Sequence, residues 1–245
     1  MDIYNKFAKV YDELMNDFDY EAWFNYIEDI FKKYGKEPKK VLEMACGTGS
    51  LSEYFAKDGY KLTSFDLSDE MLVKAYDKLN RYKNVKLLRQ NMIDFKFNEK
   101  FEAVVSICDS VNYILEEEDL VSTFKNVYDH LEDGGIFVFD INSYYKLSTT
   151  LGNNIFIEDR EDIFYTWENL FDNTSHICDF YLTFFLKQEE EYKRFDEHHR
   201  ERAYKDEEIL EALKQAGFKT RELYECFSFY KPSYESERIN FVAIK

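Results

Sequence analysis

The chain has 245 residues, of which 45% are apolar, and its formal net charge at pH 7 is −17. This length and composition suit one large α/β domain, or a core domain with an embedded subdomain, and exclude a globally disordered chain. The negative charge argues against a protein that binds nucleic acid phosphates or docks on anionic membranes, and it suits a small or cationic ligand.

Helices and strands alternate over the first 142 residues. Apolar side chains at three- and four-residue spacing predict a helix over 19–34, and a short apolar run predicts a strand over 40–44. The same signals predict, in chain order, a helix over 50–57, a strand over 61–65, a helix over 69–80 with Ser68 as its N-cap, strands over 85–89 and 101–107, a helix over 117–131 and a strand over 136–141. This alternation is typical of a Rossmann-like, doubly wound α/β sheet.

The pattern changes after Asn142. Residues 155–204 are rich in aromatic and β-branched residues at period two, and one strand face is shared by Cys178, Phe180, Leu182, Phe184 and Leu186. A helix over 206–215 and strands over 219–227 and 238–244 follow. We therefore predict a seven-stranded, mostly parallel core from residues 1–142 and 204–245, with an inserted antiparallel β subdomain, a lid, at 143–203.

The loop after the first strand is the most informative part of the sequence. Gly47 and Gly49 permit unusual backbone angles and a close approach to a ligand, which in such folds lies outside the carboxyl ends of the strands. Glu43 would repel a pyrophosphate, and Ser52 stands where a dinucleotide motif has its third glycine. Both features favour S-adenosylmethionine (SAM), which carries an ammonium and a sulfonium, over NAD. Asp66 can accept hydrogen bonds from ribose hydroxyls, but NAD sites also place an acid there.

The pattern E-x-x-C-G-x-G, followed by F-D-L-S at 65–68, resembles class I SAM-dependent methyltransferases. The resemblance covers nearly the whole chain and includes N-M-I-D at 91–94, F-E-A-V-V-S at 101–106, L-E-D-G-G at 131–135 and Y-D-E-L-M at 11–15. The chain most resembles the bacterial YqeM-like group of methyltransferases, for which the resemblance supplies no substrate. Sugar amine N-methyltransferases share a similar β-rich insertion. One departure is Ala45, where many members have glycine.

The resemblance implies a cofactor site at the carboxyl ends of the strands. It places Glu43, Ala45, Cys46, Gly47 and Gly49 around the methionine end of SAM, Asp66 at the ribose, Leu67 and Met71 on the adenosine, Asn91 and Met92 at the adenine, Cys108, Asp109 and Ser110 near the transferable methyl, and Tyr11 over the cofactor. Alternatives stay open, because Tyr11 can be a core aromatic residue, Asp109 can cap a strand end and Met71 can be a packing residue. Cys46 and Cys108 are expected to be packing residues.

The predicted acceptor site combines Asn112, Tyr113 and Trp167 with His199 and Arg202 from the end of the insertion. His199 and Asp109 are the candidate catalytic residues, and Arg202 can grip an anionic group. His199 and Arg202 face opposite ways in an unbroken strand, so both reach one pocket only if a bulge intervenes. For His199 and Arg202 the alternative is an exposed strand with cross-strand ion pairs, and Asn112 and Tyr113 can simply start the next helix.

The sequence predicts no metal site and no disulfide. Its cysteines include no C-x-x-C pair, and a site built from His176, His198 and His199 is not expected. No apolar run approaches the roughly 20 residues of a membrane span. Residues 1–10 are polar and mixed in charge, so they are not expected to form a signal peptide. A cytoplasmic monomer or homodimer with reduced thiols is the expectation.

We predict a methyltransferase that moves the methyl group of SAM to nitrogen or oxygen of a small molecule by in-line displacement. A base is required only if the nucleophile arrives protonated. A catalytically silent SAM-binding regulatory module is the alternative from another class. A methyltransferase acting on tRNA or protein, and an NAD-dependent oxidoreductase, are weaker rivals.

Overall fold

The computed structural model describes residues 11–245, so the signal-peptide expectation for residues 1–10 lies outside the described residues. The strands are β1 Lys40–Met44, β2 Lys61–Asp66, β3 Val85–Arg89, β4 Phe101–Ser106, β5 Leu131–Asn142, β6 Ile155–Asp159, β7 Ile163–Asp172, β8 Ile177–Gln188, β9 Glu191–Arg202, β10 Thr220–Glu225 and β11 Arg238–Ile244. The helices are α1 Tyr20–Lys33, α2 Ser50–Lys57, α3 Asp69–Leu79, α4 Glu117–His130 and α5 Asp206–Gln215, with a 3₁₀ turn at Ser110–Tyr113 and a π-helical turn at Lys146–Thr150.

Seven strands form one mixed sheet in the order β10-β11-β5-β4-β1-β2-β3. β1 pairs in parallel with both β2 and β4, whereas β11 is antiparallel to its neighbours β5 and β10. The chain runs outward from β1 to β3 and then returns to the other side of β1. The strand order thus reverses between β1 and β4, and this is the position where open α/β sheets bind ligands at their carboxyl edge.

Apolar side chains cover both faces of this sheet, because neighbouring residues of a strand point to opposite sides. On β4, Val104 belongs to the cluster under α4 and α5, whereas Ala103 and Val105 belong to the cluster under α1 and α2. Asp19 caps α1 by accepting a hydrogen bond from the Ala22 N–H at 2.8 Å. The predicted cap of α3 is also confirmed, since the Ser68 hydroxyl accepts a hydrogen bond from the Met71 N–H at 3.2 Å.

The strands β6 to β9 form a separate antiparallel sheet in chain order. We call the face that carries Trp167, Phe180, Phe184 and His199 its inner face, and the register confirms the predicted alternation along β8. The π-helical turn before this sheet was not predicted, because one turn is too short to show a period. The boundaries of the lid at 143 and 203 stay a prediction. In the described residues no helix is both long and apolar enough to cross a membrane.

Candidate functional site

The loop after β1 holds three residues in the left-handed backbone region. Ala45, Gly47 and Gly49 have φ angles of 52°, 54° and 77°. A Cβ atom on Gly49 would lie 2.9 Å from Cδ1 of Leu79, so the close packing of the loop on α3 requires glycine there. A Cβ atom on Gly47 would meet no atom within 4 Å. The loop backbone is therefore open at Gly47, on the edge of the sheet where a ligand is expected.

Asp66 fixes this loop to the end of β2. One oxygen of its carboxylate accepts a hydrogen bond from the Gly47 N–H at 2.8 Å, and the other accepts one from the Ser68 N–H at 2.9 Å. Burial raises the pKa of Asp66 above its usual value, although these backbone donors act to lower it. A carboxylate oxygen can accept more than one hydrogen bond, so this arrangement is compatible with the predicted ribose contact.

Glu43 lies beneath the loop. Its side chain is 3% exposed, and one carboxylate oxygen accepts hydrogen bonds from the hydroxyls of Ser52 at 2.5 Å and Ser64 at 2.7 Å. Burial is the main cause that raises the pKa of Glu43 to about 7. Ser52, which replaces the third glycine of a dinucleotide motif, thus serves as a donor to the buried carboxylate that supports the loop.

Residues 11–17 lie between this loop and the antiparallel sheet. Asp12 accepts a hydrogen bond from the Thr48 hydroxyl at 2.6 Å and forms an ion pair with Lys78 at 2.8 Å. On the other side, Leu14 packs on the apolar cluster of the inner face, and Arg160 donates a hydrogen bond to the Glu13 carbonyl at 3.1 Å. The segment therefore connects the loop after β1 to the antiparallel sheet.

Tyr11 directs its hydroxyl toward the carboxyl end of β4. Its electrostatic neighbours are Cys108, Tyr20, Asp109 and Tyr113, and burial is the main cause that raises the pKa of Tyr11 well above its usual value. The fold thus brings Tyr11, Cys108 and Asp109, which were predicted to contact the cofactor, close to Tyr113, which was predicted to contact the acceptor. They meet at the point where the strand order reverses. A role of Tyr11 over a bound cofactor stays a prediction.

The chain turns sharply after β4. Cys108 and Asp109 have φ angles of 60° and 53°, a region that residues other than glycine seldom adopt. The Ser110 hydroxyl donates to the Ile107 carbonyl at 3.0 Å and closes the turn. Burial raises the pKa of both Cys46 and Cys108 well above the usual thiol value, so these thiols stay protonated and weakly nucleophilic. This agrees with their expected role in packing.

Asp109 belongs to a set of charged and amide side chains that we call the buried polar cluster, which comprises Asp109, Asp140, Asn142, Lys146, Glu201 and Arg238. Arg238 forms ion pairs with Asp109, at 2.6 Å, and with Asp140. Asp140 is fully buried, and burial raises its pKa to about 6 in spite of Arg238. The carboxylate of Asp109 is therefore held by a cation, which makes it a poor candidate for a general base.

The rest of the cluster joins the core to β9. The Asn142 amide donates a hydrogen bond to Glu201 at 2.9 Å, and its oxygen accepts one from Lys146 at 2.9 Å. Glu201 is 3% exposed, and burial raises its pKa well above the usual value. Sequence reasoning missed this cluster. The available signal was a charged residue inside an apolar run, as in F-V-F-D-I at 137–141.

The residues predicted to hold the adenosine lie at the ends of β2 and β3. Leu67 is 58% exposed, which is unusual for a leucine beside a buried strand. Met71, Asn91 and Met92 are half-buried, and the Asn91 side chain accepts a hydrogen bond from the Ile93 N–H at 3.1 Å. These four side chains offer a partly apolar surface next to Asp66, which suits a purine nucleoside.

On the acceptor side, the structure brings His199 and Tyr113 together. Their rings pack edge to face with centroids 6.0 Å apart, and Tyr113 is 46% exposed at the carboxyl edge of the sheet. Burial, and then the neighbouring His198, lowers the pKa of His199 below its usual value. The lowered pKa favours the neutral imidazole, the form in which a ring nitrogen can accept a proton.

Two predicted acceptor residues have structural contacts instead. The Asn112 side chain is fully buried, donates to the carbonyls of Asn142 and Arg202, and accepts from the Asn142 N–H. Arg202 lies on the face of β9 opposite His199 and binds the Leu115 carbonyl and Glu208, both at 3.1 Å. β9 pairs with β8 without a bulge. This confirms that His199 and Arg202 point to opposite faces of β9 and do not share one pocket. These contacts favour a role in joining β9 to the core.

Trp167 lies on the inner face of the antiparallel sheet, against the rings of Phe156 and Phe180 at centroid distances of 5.5 and 5.6 Å. Its indole N–H is buried and has no hydrogen-bond partner in the described part of the protein. Glu197, which sequence reasoning did not select, also has a buried oxygen without a partner there. Both atoms are on the face that Leu14 and Tyr113 contact.

Among residues 11–245, no group of three or more His, Cys, Asp or Glu side chains is placed to hold a metal ion. A hollow of about 270 Å³ lined by Glu28, Lys36 and Tyr60 opens at the amino edge of the sheet. It lies on the side away from the loop after β1. The candidate site is thus the carboxyl edge between that loop, residues 11–17, the end of β4 and the inner face.

Comparison with known proteins identifies the family of the chain. Residues 41–135 match the model of a methyltransferase domain. The chain is 38% identical to the methyltransferase YqeM of Bacillus subtilis (strain 168), a protein named without a substrate, over 99% of this chain and 97% of that protein. A crystal structure of an S-adenosylmethionine-dependent methyltransferase from Clostridium acetobutylicum ATCC 824 is 40% identical, superimposes with a TM-score of 0.89 and covers 98% of both chains.

A third relative has a defined substrate. The chain is 35% identical to dTDP-3-amino-3,4,6-trideoxy-alpha-D-glucopyranose N,N-dimethyltransferase of Streptomyces venezuelae, over 50% of this chain and 50% of that protein. That similarity spans half of each protein, whereas the first two relatives match over almost their full length.

Proposed function

The chain belongs to the SAM-dependent methyltransferase family, and on that premise we propose that it methylates the nitrogen of a small-molecule amine. SAM is its cofactor. The observation that carries the proposal is that residues 11–17 and the antiparallel sheet cover the carboxyl edge. Within this segment, Asp12 contacts the loop after β1 and Leu14 contacts the antiparallel sheet. A carboxyl edge covered in this way suits a small acceptor better than a protein or tRNA. The sugar amine dimethyltransferase among its relatives favours nitrogen over oxygen.

The cofactor residues of this chain would act mainly by positioning. Bound SAM supplies a methyl group on a sulfonium, which is already an activated leaving group. Asp66 would accept hydrogen bonds from the ribose hydroxyls while holding the Gly47 N–H, and Leu67 would cover the adenosine. Gly47 would allow the methionine end to approach the loop backbone. Tyr11 would cover the cofactor and exclude water at the end of β4.

The acceptor must present a nitrogen lone pair, so an ammonium has to lose a proton first. Bound SAM would then give its methyl group to this nitrogen, and the electron pair of the broken carbon–sulfur bond would stay on sulfur. His199 is the candidate for accepting the proton, because its lowered pKa favours the neutral imidazole and its ring packs on the exposed Tyr113. Asp109 is less suited, since Arg238 already pairs with its carboxylate.

Calorimetric titration with SAM, S-adenosylhomocysteine and NAD, followed by turnover assays on matched amines and alcohols, tests this function. We expect binding of the first two ligands and formation of S-adenosylhomocysteine with amines. Turnover with alcohols and not with amines would show that the acceptor atom is oxygen. Binding of SAM without turnover on amines, alcohols or a metabolite extract would favour the regulatory SAM-binding module.

A further inference from the structure

One row of three residues on the inner face of the antiparallel sheet carries two polar side chains, each with a buried atom that has no hydrogen-bond partner in the described residues. In the register of the sheet, Trp167 lies opposite Leu182, and Leu182 lies opposite Glu197. These three side chains therefore point to the same side, with the two polar ones about 10 Å apart across the apolar Leu182. The row thus has a donor at one end, an apolar middle and an acceptor at the other end.

The neighbouring rows show what this row faces. One row away, His199 packs on Tyr113 at the end of β4. One row away in the other direction, Phe184 and Phe195 pack with Leu14. The row of Trp167, Leu182 and Glu197 therefore lies between the row that contacts Tyr113 and the row that contacts Leu14, on the side of the sheet that faces the proposed site.

The two polar ends of the row are buried without partners. Glu197 is 9% exposed, and its Oε1 atom has no hydrogen bond in the described residues. The Nε1 atom of Trp167 is also buried and also has no hydrogen bond in the described residues. Unpaired buried polar groups cost free energy, and native proteins seldom keep them without a ligand or a function. Burial also raises the pKa of Glu197 above its usual value.

We infer that Glu197 and Trp167 form the specificity site for the acceptor, and that the acceptor is a hydroxylated amine. The Trp167 indole N–H donates a hydrogen bond to one acceptor oxygen, and the Glu197 carboxylate accepts a hydrogen bond from a hydroxyl or ammonium at the other end. The apolar middle of the acceptor lies on Leu182. This inference rests on the proposed function, because it names the substrate class of the same site.

The test is calorimetric titration of the full chain, saturated with S-adenosylhomocysteine, with glucosamine, trans-2-aminocyclohexanol and cyclohexylamine. The first two probes carry hydroxyls, and cyclohexylamine is a matched amine without one. We expect at least tenfold tighter binding of the hydroxylated probes. Glu197→Gln and Trp167→Phe each weaken that binding by about ten- to a hundredfold, because a hydrogen bond to a buried group is lost.

Two control variants remove a carboxylate and an aromatic hydrogen-bond donor elsewhere on the sheet. Glu191→Gln changes an exposed carboxylate at the start of β9, and Tyr181→Phe changes an exposed aromatic residue on the outer face. Both are expected to bind the probes as the wild type does. Thermal unfolding separates ligand binding from a structural role of Glu197. We expect Glu197→Gln to keep or raise the melting temperature of the ligand-free protein at pH 8, whereas loss of a structural contact would lower it.

The inference is overturned if the three probes bind with equal affinity, if none of them binds, or if Glu197→Gln binds them unchanged. Its failure is distinguishable from failure of the proposed function. Amine methylation that is insensitive to Glu197→Gln would remove the specificity site and leave the methyltransferase intact. Glu197-dependent binding of probes that are never methylated would keep the site and refute the proposed amine methylation.

Discussion

The two sides of the site are built differently. On the cofactor side, Asp66 accepts hydrogen bonds from backbone N–H groups at Gly47 and Ser68, so a short stretch of sequence with fixed spacing determines the geometry. On the acceptor side, side chains far apart in the chain meet, as when Asn142 contacts Glu201 and Arg238 contacts Asp109. Short sequence motifs therefore determine the cofactor side, whereas the acceptor side depends on the whole fold.

The strongest way to separate the two sides is to delete residues 143–203, the predicted lid, and join the ends with a short linker. We expect SAM binding to survive, because the contacts of Asp66 and the loop after β1 lie outside the deletion, and methyl transfer to be abolished. Calorimetry and turnover measure the two effects. Loss of SAM binding in a folded deletion variant would show that the lid is not a separate acceptor element.

Arg238→Met is expected to destabilise the protein by about 3–5 kcal/mol, because it leaves the carboxylates of Asp109 and Asp140 in the cluster without their cation. Chemical denaturation measures this loss. The matched control is Arg200→Gln on the outer face of β9, where the ion pair with Asp179 is 3.4 Å long and part-exposed. Equal effects of the two substitutions would refute a special role for the buried polar cluster.

Asp66→Ala is expected to weaken SAM binding by about a hundredfold, which corresponds to about 2.7 kcal/mol. The substitution removes the proposed ribose contact and also frees the Gly47 N–H that holds the loop. Asp69→Ala, an exposed acid in the first turn of α3, serves as the control in the same titration. SAM affinity that Asp66→Ala leaves intact would contradict the assignment of the ribose site.

The smallest expected effect concerns Glu43 and pH. Its pKa in the folded protein, about 7, lies above that of the unfolded chain. The folded state therefore binds the proton more tightly, so the stabilisation is complete below the unfolded pKa and declines as pH rises toward 7. Glu43→Gln should flatten this decline, by about 1–3 kcal/mol between pH 4.5 and 8. Denaturation curves at both pH values measure it, and an unchanged slope would be the contrary result.

The sequence predicted the core well because local signals determine its elements. The bounds of β1, α2 and β11 were predicted to the residue, and Ser68 caps α3 as expected. Strand β5 begins five residues earlier than predicted, at Leu131 instead of 136, since polar residues at 132 and 133 hide its start.

The acceptor side was predicted less well for a physical reason. Asn112 and Arg202 were chosen by residue type. In the structure, however, Asn112 forms hydrogen bonds with the backbone of Asn142, and Arg202 donates one to Glu208. Glu197 was missed because only the strand register shows that it shares a face with Trp167. Pairing between strands is a long-range property that residue spacing within one strand does not contain.

The most direct test of the central claim is to incubate the protein with SAM labelled as trideuteromethyl and a hydroxylated amine such as glucosamine, and to locate the label by mass spectrometry. The account predicts a trideuteromethyl group on the amine nitrogen, formed in step with S-adenosylhomocysteine and strongly reduced in His199→Phe and Asp66→Ala. A label on oxygen, or bound SAM that yields no labelled product with any amine, would contradict it.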